Sequence, residues 1–445
     1  MPEDSTTITL PSPEATDAFG RRLASWLRAG DAVLLSGDLG AGKSHLARAV
    51  IRALCGAGTE VPSLTFTLVQ VYDGPPGPIL HADLYRLGDA SELDELGLSE
   101  ALGRDLCLIE WPDRLAEEPP GAIRIHLRPD GEGRRAVVAA PPGRLDTLVA
   151  AEAAGFADAA GETVAGDASA RRFARLRRAD GATAILMEDP GGAAETARFA
   201  GIAERLRAAG LAPPAILARA GGALVVEDLG DGLVSALVDA DPSEAMPLYL
   251  AATETLLRLR TADPAGLPAF DPAEMTRQAE LCWTEWAGGD EGRSPWHDAL
   301  AAALMDHAGD TGTLILRDCH AGNLIWDGRM RVIDFQDALA GPEGYDLVSL
   351  LDDARRDVPE EVRAACTALW LERTGADPDA FAARAAILAA QRALRILGVF
   401  ARLAKGGKPH YLGHAPRVRG QLAAALSHPT LADLRARIDL PERPA

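Results

Sequence analysis

The chain has 445 residues, which is enough for two or three domains that each bury a core. Hydrophobic residues make up 47% of it and charged residues 25%, as in ordinary globular proteins. The net charge is -20, and neither residues 1–145 nor the remainder has a basic surplus, so strong direct binding to nucleic acid is not expected.

Cysteine usage and the N-terminus predict a cytoplasmic protein. The five cysteines are widely spaced and none forms a C-x-x-C pair, which argues against a disulfide framework or a zinc site and fits a reducing compartment. The first residues are acidic and polar, unlike a signal peptide. No apolar run reaches the ~18 residues of a membrane span, so no membrane partner is expected.

The first predicted elements are a buried strand at residues 31–36, a glycine loop, and a helix at residues 45–54. The loop GDLGAGKS has the pattern G-x-x-x-x-G-K-[ST], and this chain has three lysines in all, of which one is in the loop. Its backbone N–H groups are expected to surround phosphate oxygens, its lysine to neutralise their charge, and its serine to offer a hydroxyl to Mg²⁺. The predicted nucleotide contacts here are Gly37, Asp38, Leu39, Gly40, Ala41, Gly42, Lys43, Ser44 and His45.

Carboxylates after the loop are candidates for magnesium binding and hydrolysis. Glu110 follows a short apolar strand at residues 106–109, where a phosphate-loop nucleotidase needs a magnesium-binding carboxylate. Asp83 is a second acidic candidate, and Thr65 is placed to sense the terminal phosphate. Trp111 has two open interpretations, core packing or a role in the site.

A predicted hairpin at residues 123–127 and 136–140 closes the first domain, and we place the boundary at about residue 145. The predicted domains are therefore residues 1–145 and 146–445. The second begins with β-like runs at residues 173–177 and 182–188, continues with a helix at residues 193–209, and is dominated by amphipathic helices from residue 243 onward.

Four motifs make the first domain similar to the TsaE family: GDLGAGKSHLAR from residue 37, LTFTLV from residue 64, HADLYRL from residue 81 and LIEWPDRL from residue 108. The resemblance implies a P-loop ATPase that acts in a complex with TsaB- and TsaD-type proteins to make threonylcarbamoyladenosine on tRNA. It also implies that Ser44 and Glu110 bind Mg²⁺, that Asp83 takes part in hydrolysis, and that Thr16 touches the nucleotide. Leu64 departs from the family, which usually has proline there.

A second phosphoryl-transfer signature lies at residues 317–337. Asp318 precedes Asn323 by five residues, and Asp334 follows eleven residues later. In kinase-like phosphotransferases the first aspartate accepts the proton of the attacking hydroxyl, while the asparagine and the later aspartate hold Mg²⁺. We interpret His320 as a structural residue of this loop, and Asp337 either binds substrate or caps a turn.

The predicted nucleotide contacts of the second domain precede this signature. Ser169 lies in a weak glycine loop at residues 166–173. Met187 stands where a strand lysine would grip phosphates, so we expect Arg171 and Arg172 to supply the charge, because guanidinium groups bind phosphate as a fork. Glu195 is a candidate to orient one of them.

The second domain resembles the aminoglycoside phosphotransferase superfamily over about residues 150–435, and within it the AmgK-type anomeric kinases. The motifs that carry this are GDASARRFARL, LMEDP, IDFQDAL, GPEGYDLVSLLDDARRDV and LGVFARLAKGGKPHYL. The resemblance implies a bilobal, protein-kinase-like α+β fold and ATP-dependent phosphorylation of the anomeric hydroxyl of N-acetylmuramate or N-acetylglucosamine, in peptidoglycan recycling. Glu227 and Leu229 would then lie in the interlobe linker that meets adenine.

The sequence thus predicts an α/β P-loop NTPase domain followed by an α+β kinase-like domain, with ATP and Mg²⁺ as cofactors. Muramate is an anion, so a cation should meet it, and the candidates are Arg395, Lys405 and Lys408. Two alternatives stay open: the kinase acts on another small alcohol, such as an aminoglycoside or choline, and the first domain is a nucleotide-gated assembly module.

Overall fold

The computed structural model describes residues 4–64, 68–86, 97–156, 159–164, 171–290 and 292–444. Two compact units divide the chain and are described separately: Met1–Ala197 with Ala215–Asp228, and Arg198–Pro214 with Leu229–Ala445. Thr65 and Ser169, both predicted nucleotide contacts, lie outside the described residues.

A seven-stranded sheet forms the first part of the first unit, in the order β1-β7-β6-β2-β5-β4-β3. The central strand β2 is apolar and pairs in parallel with β5 and β6, as expected for a strand that is covered on both faces. The strands are β1 (Asp4–Leu10), β2 (Ala32–Ser36), β3 (Val69–Gly74), β4 (Gly77–Asp83), β5 (Leu106–Glu110), β6 (Ile123–Asp130) and β7 (Gly133–Ala140).

Helices α1 (Pro13–Trp26), α2 (Lys43–Cys55) and α3 (Leu98–Ala101) accompany this sheet. The side chain of Ser12 caps α1 by accepting from the backbone N–H of Ala15, and proline follows at the first helical position. Helix α2 begins directly after the glycine loop, which confirms the predicted strand, loop and helix.

A second, five-stranded antiparallel sheet completes the first unit, in the order β11-β12-β10-β9-β8. Each of the two sheets in this unit has its own hydrophobic core, and helix α4 (Asp146–Ala153) contributes to both. Leu148 packs in the core of the first sheet, while Ala150 and Ala151 pack in the core of the second. The remaining elements are β8 (Ala160–Val164), β9 (Arg172–Arg177), β10 (Thr183–Glu188), β11 (Ile216–Ala220) and β12 (Ala223–Glu227). Helix α5 (Ala193–Ala208) begins in this unit and belongs to the second unit from Arg198 onward.

The second unit is mainly helical, as its sequence predicts. Its helices are α6 (Val234–Ala240), α7 (Ala245–Leu259), α8 (Pro272–Leu281), α9 (His297–Ala308), α10 (Tyr345–Leu351), α11 (Glu360–Thr374), α12 (Pro378–Lys405), α13 (Ala415–Leu426) and α14 (Ala432–Arg437). Two small antiparallel pairs lie among them: β13 (Thr313–Ile315) with β16 (Leu339–Gly341), and β14 (Leu324–Trp326) with β15 (Met330–Val332).

The long helix α12 organises the core of this unit. Asp377 caps its first turn, and its residues Ile387, Leu394 and Leu397 are fully buried among apolar side chains of α8, α9 and α13. Because its side chains are closely packed in this core, α12 is held in place and supports the elements that pack against it.

All five cysteines are free thiols, as the spacing predicts. No helix within the described ranges is both long enough and apolar enough to cross a membrane.

Candidate active sites

The glycine loop has a backbone that requires glycine at its first position. Gly37 has φ +133°, and a Cβ placed there would lie 2.3 Å from the carbonyl oxygen of Leu127. Gly42, at the start of α2, has φ +103°. These conformations exclude ordinary side chains, so the loop keeps a space in which phosphate oxygens can approach its backbone.

Lys43 is held inside this loop. Its Nζ donates to the carbonyl oxygens of Gly37 and Asp38 at 2.7 and 3.0 Å, and it lies 3.8 Å from the ring centroid of Trp111. Burial lowers the pKa of Lys43, while the carboxylates of Glu110 and Asp83 act in the opposite direction. Trp111 therefore contacts the phosphate-loop lysine, which favours a role in the site over packing alone.

Ser44, Glu110 and His81 form a hydrogen-bonded chain that runs from the exposed Ser44 hydroxyl to two buried side chains. The Ser44 hydroxyl donates to Glu110 Oε2 at 2.7 Å, and His81 Nε2 lies 2.9 Å from Glu110 Oε1. Glu110 and His81 are each 2% exposed. Sequence reasoning did not single out His81, although it stands in the quoted motif HADLYRL.

Asp83 lies beside Glu110 because strands β4 and β5 are parallel and pair these two residues in register. Burial raises the pKa of Asp83, the Glu110 carboxylate adds to the increase, and a hydrogen bond from the backbone N–H of Tyr85 opposes it. A carboxylate with a raised pKa is better suited to accept a proton near neutral pH.

The other predicted contacts lie around the loop. Thr16 is buried in the first turn of α1 and donates to the carbonyl oxygen of Ser12, while His45 Nε2 lies 2.7 Å from Asp17 Oδ1. Leu39, at the loop tip, is 79% exposed. Sequence reasoning missed Arg134 on β7, whose Nε and Nη2 donate to the carbonyl oxygens of Ala41 and Gly40. These contacts place its guanidinium group beside the phosphate loop, and no local motif marks this distant residue.

In the second unit, the predicted catalytic trio is brought together. Asn323 Nδ2 donates to the carbonyl oxygen of Asp318 at 2.9 Å and lies 3.5 Å from Asp334 Oδ2. The hairpin β14–β15 connects Asn323 to Asp334, and the backbone N–H of Ile333 donates to the carbonyl oxygen of Asn323. Gln336 Nε2 also donates to Asp334 at 2.9 Å.

Buried charges beneath this loop fix its backbone. Arg317 and Asp334 have φ +73° and +57°, uncommon values for residues with side chains. Asp346 accepts from the backbone N–H groups of Leu316 and Arg317, and the buried Arg392 donates to the carbonyl oxygen of Arg317. Asp346 and Arg392 are therefore positioning residues that sequence reasoning missed, although Asp346 is in the quoted motif GPEGYDLV.

The electrostatic surroundings of Asp318 favour its ionised form. Burial acts to raise the pKa of Asp318, but the electrostatic influence of His320 and of the guanidinium groups of Arg392 and Arg395 outweighs it, so that the pKa is lowered. His320 Nδ1 accepts from the backbone N–H of Gly322, which fits the predicted structural role. Burial lowers the pKa of His320.

The candidate cations of the first unit are all engaged in ion pairs. Arg171 Nε lies 2.6 Å from Asp189 Oδ2, and Arg172 Nη2 lies 2.7 Å from Glu188 Oε2. Sequence reasoning favoured Glu195 as the orienting carboxylate and missed Asp189. It also missed Arg175, whose Nε lies 2.8 Å from Asp228 Oδ2. The roles of Arg171 and Arg172 as phosphate ligands stay predictions.

The linker and the sugar-binding cations were also predicted. Glu227 Oε2 accepts from the backbone N–H of Ala215, and Leu229 is half-buried. Lys405 Nζ lies 3.3 Å from Glu285 Oε2. Arg395, in contrast, is near enough to Asp318 to influence its pKa.

The residues present fit Mg²⁺ at both places. Ser44 with Glu110, and Asn323 with Asp334, offer oxygen donors of the kind that Mg²⁺ prefers. The two units therefore carry two different sets of phosphoryl-transfer residues, a phosphate loop and a kinase-type catalytic loop. The fold and these sets define an ATP-using enzyme with a P-loop ATPase part and a protein-kinase-like phosphotransferase part.

Comparison with known proteins agrees with both parts. Residues 10–137 match the family described as threonylcarbamoyl adenosine biosynthesis protein TsaE, and residues 160–384 match the phosphotransferase enzyme family APH. The chain belongs to both families: it is a TsaE-type tRNA-modification protein fused to an AmgK-like kinase homologue.

Individual relatives are similar over most of their own length. The N-acetylmuramate/N-acetylglucosamine kinase of Caulobacter vibrioides is 33% identical over 337 residues, which is 64% of this chain and 93% of the relative. The corresponding kinase of Pseudomonas aeruginosa is 32% identical, over 60% of this chain and 84% of the relative. The TsaE protein of Rickettsia bellii is 46% identical over 120 residues, which is 27% of this chain and 83% of the relative.

Proposed function

We propose that the kinase part transfers the γ-phosphoryl group of ATP to the anomeric hydroxyl of N-acetylmuramate or N-acetylglucosamine, in peptidoglycan recycling. The observation that carries this proposal is the convergence of Asp318, Asn323 and Asp334. Asn323 Nδ2 donates to the backbone carbonyl oxygen of Asp318 and lies 3.5 Å from the carboxylate oxygen Oδ2 of Asp334. The named kinases of two organisms supply the substrate class.

Asp318 is the proposed general base. Its lowered pKa keeps it ionised, and its side chain is 49% exposed, so it is open to a substrate hydroxyl. An anomeric hydroxyl is more acidic than an ordinary alcohol, so a single carboxylate suffices to take its proton. Asn323 and Asp334 would hold Mg²⁺, which when bound neutralises charge on the phosphates.

Arg395 is the proposed partner of the muramate carboxylate. It is half-buried and close to Asp318, whereas Lys405 already pairs with Glu285. An arginine at this place would bind the lactyl carboxylate of muramate with a forked pair of hydrogen bonds. N-acetylglucosamine lacks that carboxylate, so its phosphorylation should not need Arg395.

For the first part, we propose ATP binding and hydrolysis within a complex with TsaB- and TsaD-type proteins that modifies tRNA. Lys43 would neutralise the terminal phosphates, and Ser44 with Glu110 would hold Mg²⁺. The raised pKa of Asp83 and its place beside Glu110 support its role as the group that accepts a proton from the attacking water.

A product analysis tests the kinase proposal. The purified protein is incubated with Mg-ATP and, separately, N-acetylmuramate, N-acetylglucosamine, an aminoglycoside and choline. Mass spectrometry should find one added phosphate on the amino sugars, and ³¹P–¹H NMR should place it on the anomeric carbon. Phosphate on another carbon, or transfer only to the aminoglycoside or choline, would overturn the substrate assignment.

An ATP hydrolysis assay without sugar tests the proposal for the first part. Addition of TsaB- and TsaD-type proteins should raise the hydrolysis rate, and Lys43→Ala should remove that increase. An unchanged rate with partners present would refute a role as the ATPase of such a complex.

A further inference from the structure

The hairpin formed by β6 and β7 contacts the phosphate loop and the strand before it. Ser36, the last residue of β2, has its Oγ 2.9 Å from His126 Nδ1 on β6. Gly37, the first loop residue, lies so close to β6 that a Cβ on it would be 2.3 Å from the carbonyl oxygen of Leu127. From β7, Arg134 reaches the middle of the loop. The loop is therefore supported at its start and at its middle by a hairpin outside the glycine motif.

Arg134 uses all three guanidinium nitrogens on backbone carbonyl oxygens. Nε donates to Ala41 at 3.1 Å and Nη2 to Gly40 at 3.3 Å, so the side chain bridges two consecutive peptide groups of the loop. Nη1 donates to Gly133, the preceding residue of β7, at 2.8 Å, which fixes the guanidinium plane against the strand. The donors of arginine form a rigid planar fork, so these bonds set the orientation of the loop relative to β7.

The bonds to Arg134 also decide which way an N–H group of the loop points. In a trans peptide group the C=O and the next N–H point in opposite directions. The carbonyl of Ala41 faces Arg134, so the N–H of Gly42 faces the opposite side of the loop. Within the described part of the chain this N–H has no acceptor. A free N–H just before the first turn of a helix is the kind of donor that phosphate oxygens bind.

This orientation needs support because the loop is rich in glycine. Gly40 and Gly42 have φ +79° and +103°, and residues without a side chain change readily between such conformations and others. Rotation of the peptide group on either side of Ala41 would turn a carbonyl oxygen, with its partial negative charge, toward the phosphates. Bonds from a charged donor to both carbonyl oxygens oppose that rotation.

We propose that Arg134 is a positioning residue of the phosphate loop, which holds both peptide groups in this orientation so that the loop is ordered before ATP binds. The proposal rests on the function proposed for the first part and adds to it a residue outside the glycine motif. An ordered loop costs less to bind, and the same loop holds the phosphates before and during the reaction. Loss of Arg134 should therefore raise KM for ATP and leave kcat nearly unchanged.

Binding is tested first, on the full chain with Mg²⁺ and a non-hydrolysable ATP analogue. Calorimetry should show two sites per chain, and Lys43→Ala identifies the phosphate-loop site as the one that it weakens. Arg134→Met, which keeps the length of the side chain but has no donors, should weaken binding at that site ~10-fold. Arg134→Lys keeps the charge but not the fork, so it should restore at most a small part of the affinity. Arg135→Met is the matched control and should change nothing, because Arg135 is exposed on the same strand and pairs with Asp130 at 2.8 Å.

Kinetics then separates positioning from folding. In ATP hydrolysis without sugar, with TsaB- and TsaD-type proteins present, Arg134→Met should raise KM for ATP ~10-fold and change kcat by less than ~2-fold. Its sugar phosphorylation should match that of Arg135→Met, since that reaction uses the other site, and thermal melts show that each variant is folded.

The outcomes distinguish this proposal from the one on which it rests. Unchanged affinity in Arg134→Met, or full affinity in Arg134→Lys, would overturn the role of Arg134 and leave the ATPase assignment intact. Weaker binding in Arg134→Met, without partner-stimulated hydrolysis in the wild type, would support the role of Arg134 and overturn the ATPase assignment instead. If Lys43→Ala weakens no site, both proposals are wrong.

Discussion

The two phosphoryl-transfer regions differ in what is buried. In the phosphate loop, the carboxylate Glu110 is 2% exposed and both of its oxygens are hydrogen-bonded, by Ser44 and His81. In the kinase loop, the side chain of Asp318 is 49% exposed, and the buried charges are those beneath it, Asp346 and Arg392. This difference agrees with the proposed roles, a magnesium ligand for Glu110 and a base that must stay open to its substrate for Asp318.

The largest expected effect separates the two regions directly. Asp318→Asn removes the proposed base, whose contribution is typically 10²–10⁴-fold, so kcat/KM for the sugar should fall by ~10³-fold. Steady-state kinetics measures this, and ATP hydrolysis without sugar should be unchanged. The control Asp306→Asn, exposed on α9, should leave both activities as they are. Loss of both activities in a folded Asp318→Asn protein would show that the regions are coupled.

The reciprocal change is Lys43→Ala. Removal of the cation in the phosphate loop should lower sugar-independent ATP hydrolysis by ~10²-fold or more, since it stabilises developing charge on the phosphates. Sugar phosphorylation should be retained. Arg52→Ala, on the exposed side of the same helix, is the matched control. A normal hydrolysis rate in Lys43→Ala would remove the phosphate loop from the mechanism.

A stability measurement probes the support beneath Asp318. Burial raises the pKa of Asp346 to about 7, above the ~3.9 of an unfolded aspartate. The native state therefore keeps a proton that the unfolded state loses, so the contribution of Asp346 to stability is largest below pH ~4 and falls as pH rises toward 7, at ~1.4 kcal/mol per pH unit. In Asp346→Asn this contribution disappears, and urea unfolding at pH 5 and pH 7 should give a difference ~2–3 kcal/mol smaller than in the wild type. Equal pH slopes would mean that Asp346 does not titrate in this range.

The smallest expected effect compares two glycines in the phosphate loop. Gly37→Ala meets both a left-handed backbone and the Leu127 carbonyl oxygen at 2.3 Å, whereas a Cβ at Gly40 (φ +79°) meets nothing within 4 Å. Gly40→Ala should cost ~1 kcal/mol through its backbone alone, and Gly37→Ala clearly more. Thermal denaturation with and without Mg-ATP measures both. Equal costs would contradict the close approach at Gly37.

Much of the fold and both candidate sites could be read from local patterns. The strand before the phosphate loop and the helix after it were predicted within a few residues, because apolar runs and glycine positions act over short distances. Glu110 was found because it ends an apolar strand. The kinase trio was found because kinase-type catalytic loops have these residue types at fixed spacings along the chain. The trio consists of Asp318, Asn323 and Asp334.

The residues that support these sites were missed for a common reason. His81 reaches Glu110 across neighbouring parallel strands, and Arg134 reaches the phosphate loop from a strand about ninety residues away. Their partners depend on strand order and register, which a single sequence does not specify. Asp346 and Arg392 lie under the kinase loop only because α10 and α12 pack there.

The sequence by itself determined the two kinds of chemistry, since each depends on residue types at fixed short spacings. Tertiary structure alone decided which carboxylates are enclosed or exposed, which arginines are paired, and which hairpin supports the phosphate loop. Burial, pKa shifts and ion pairs arise from contacts between segments far apart in the chain, and those contacts exist only once the chain is packed.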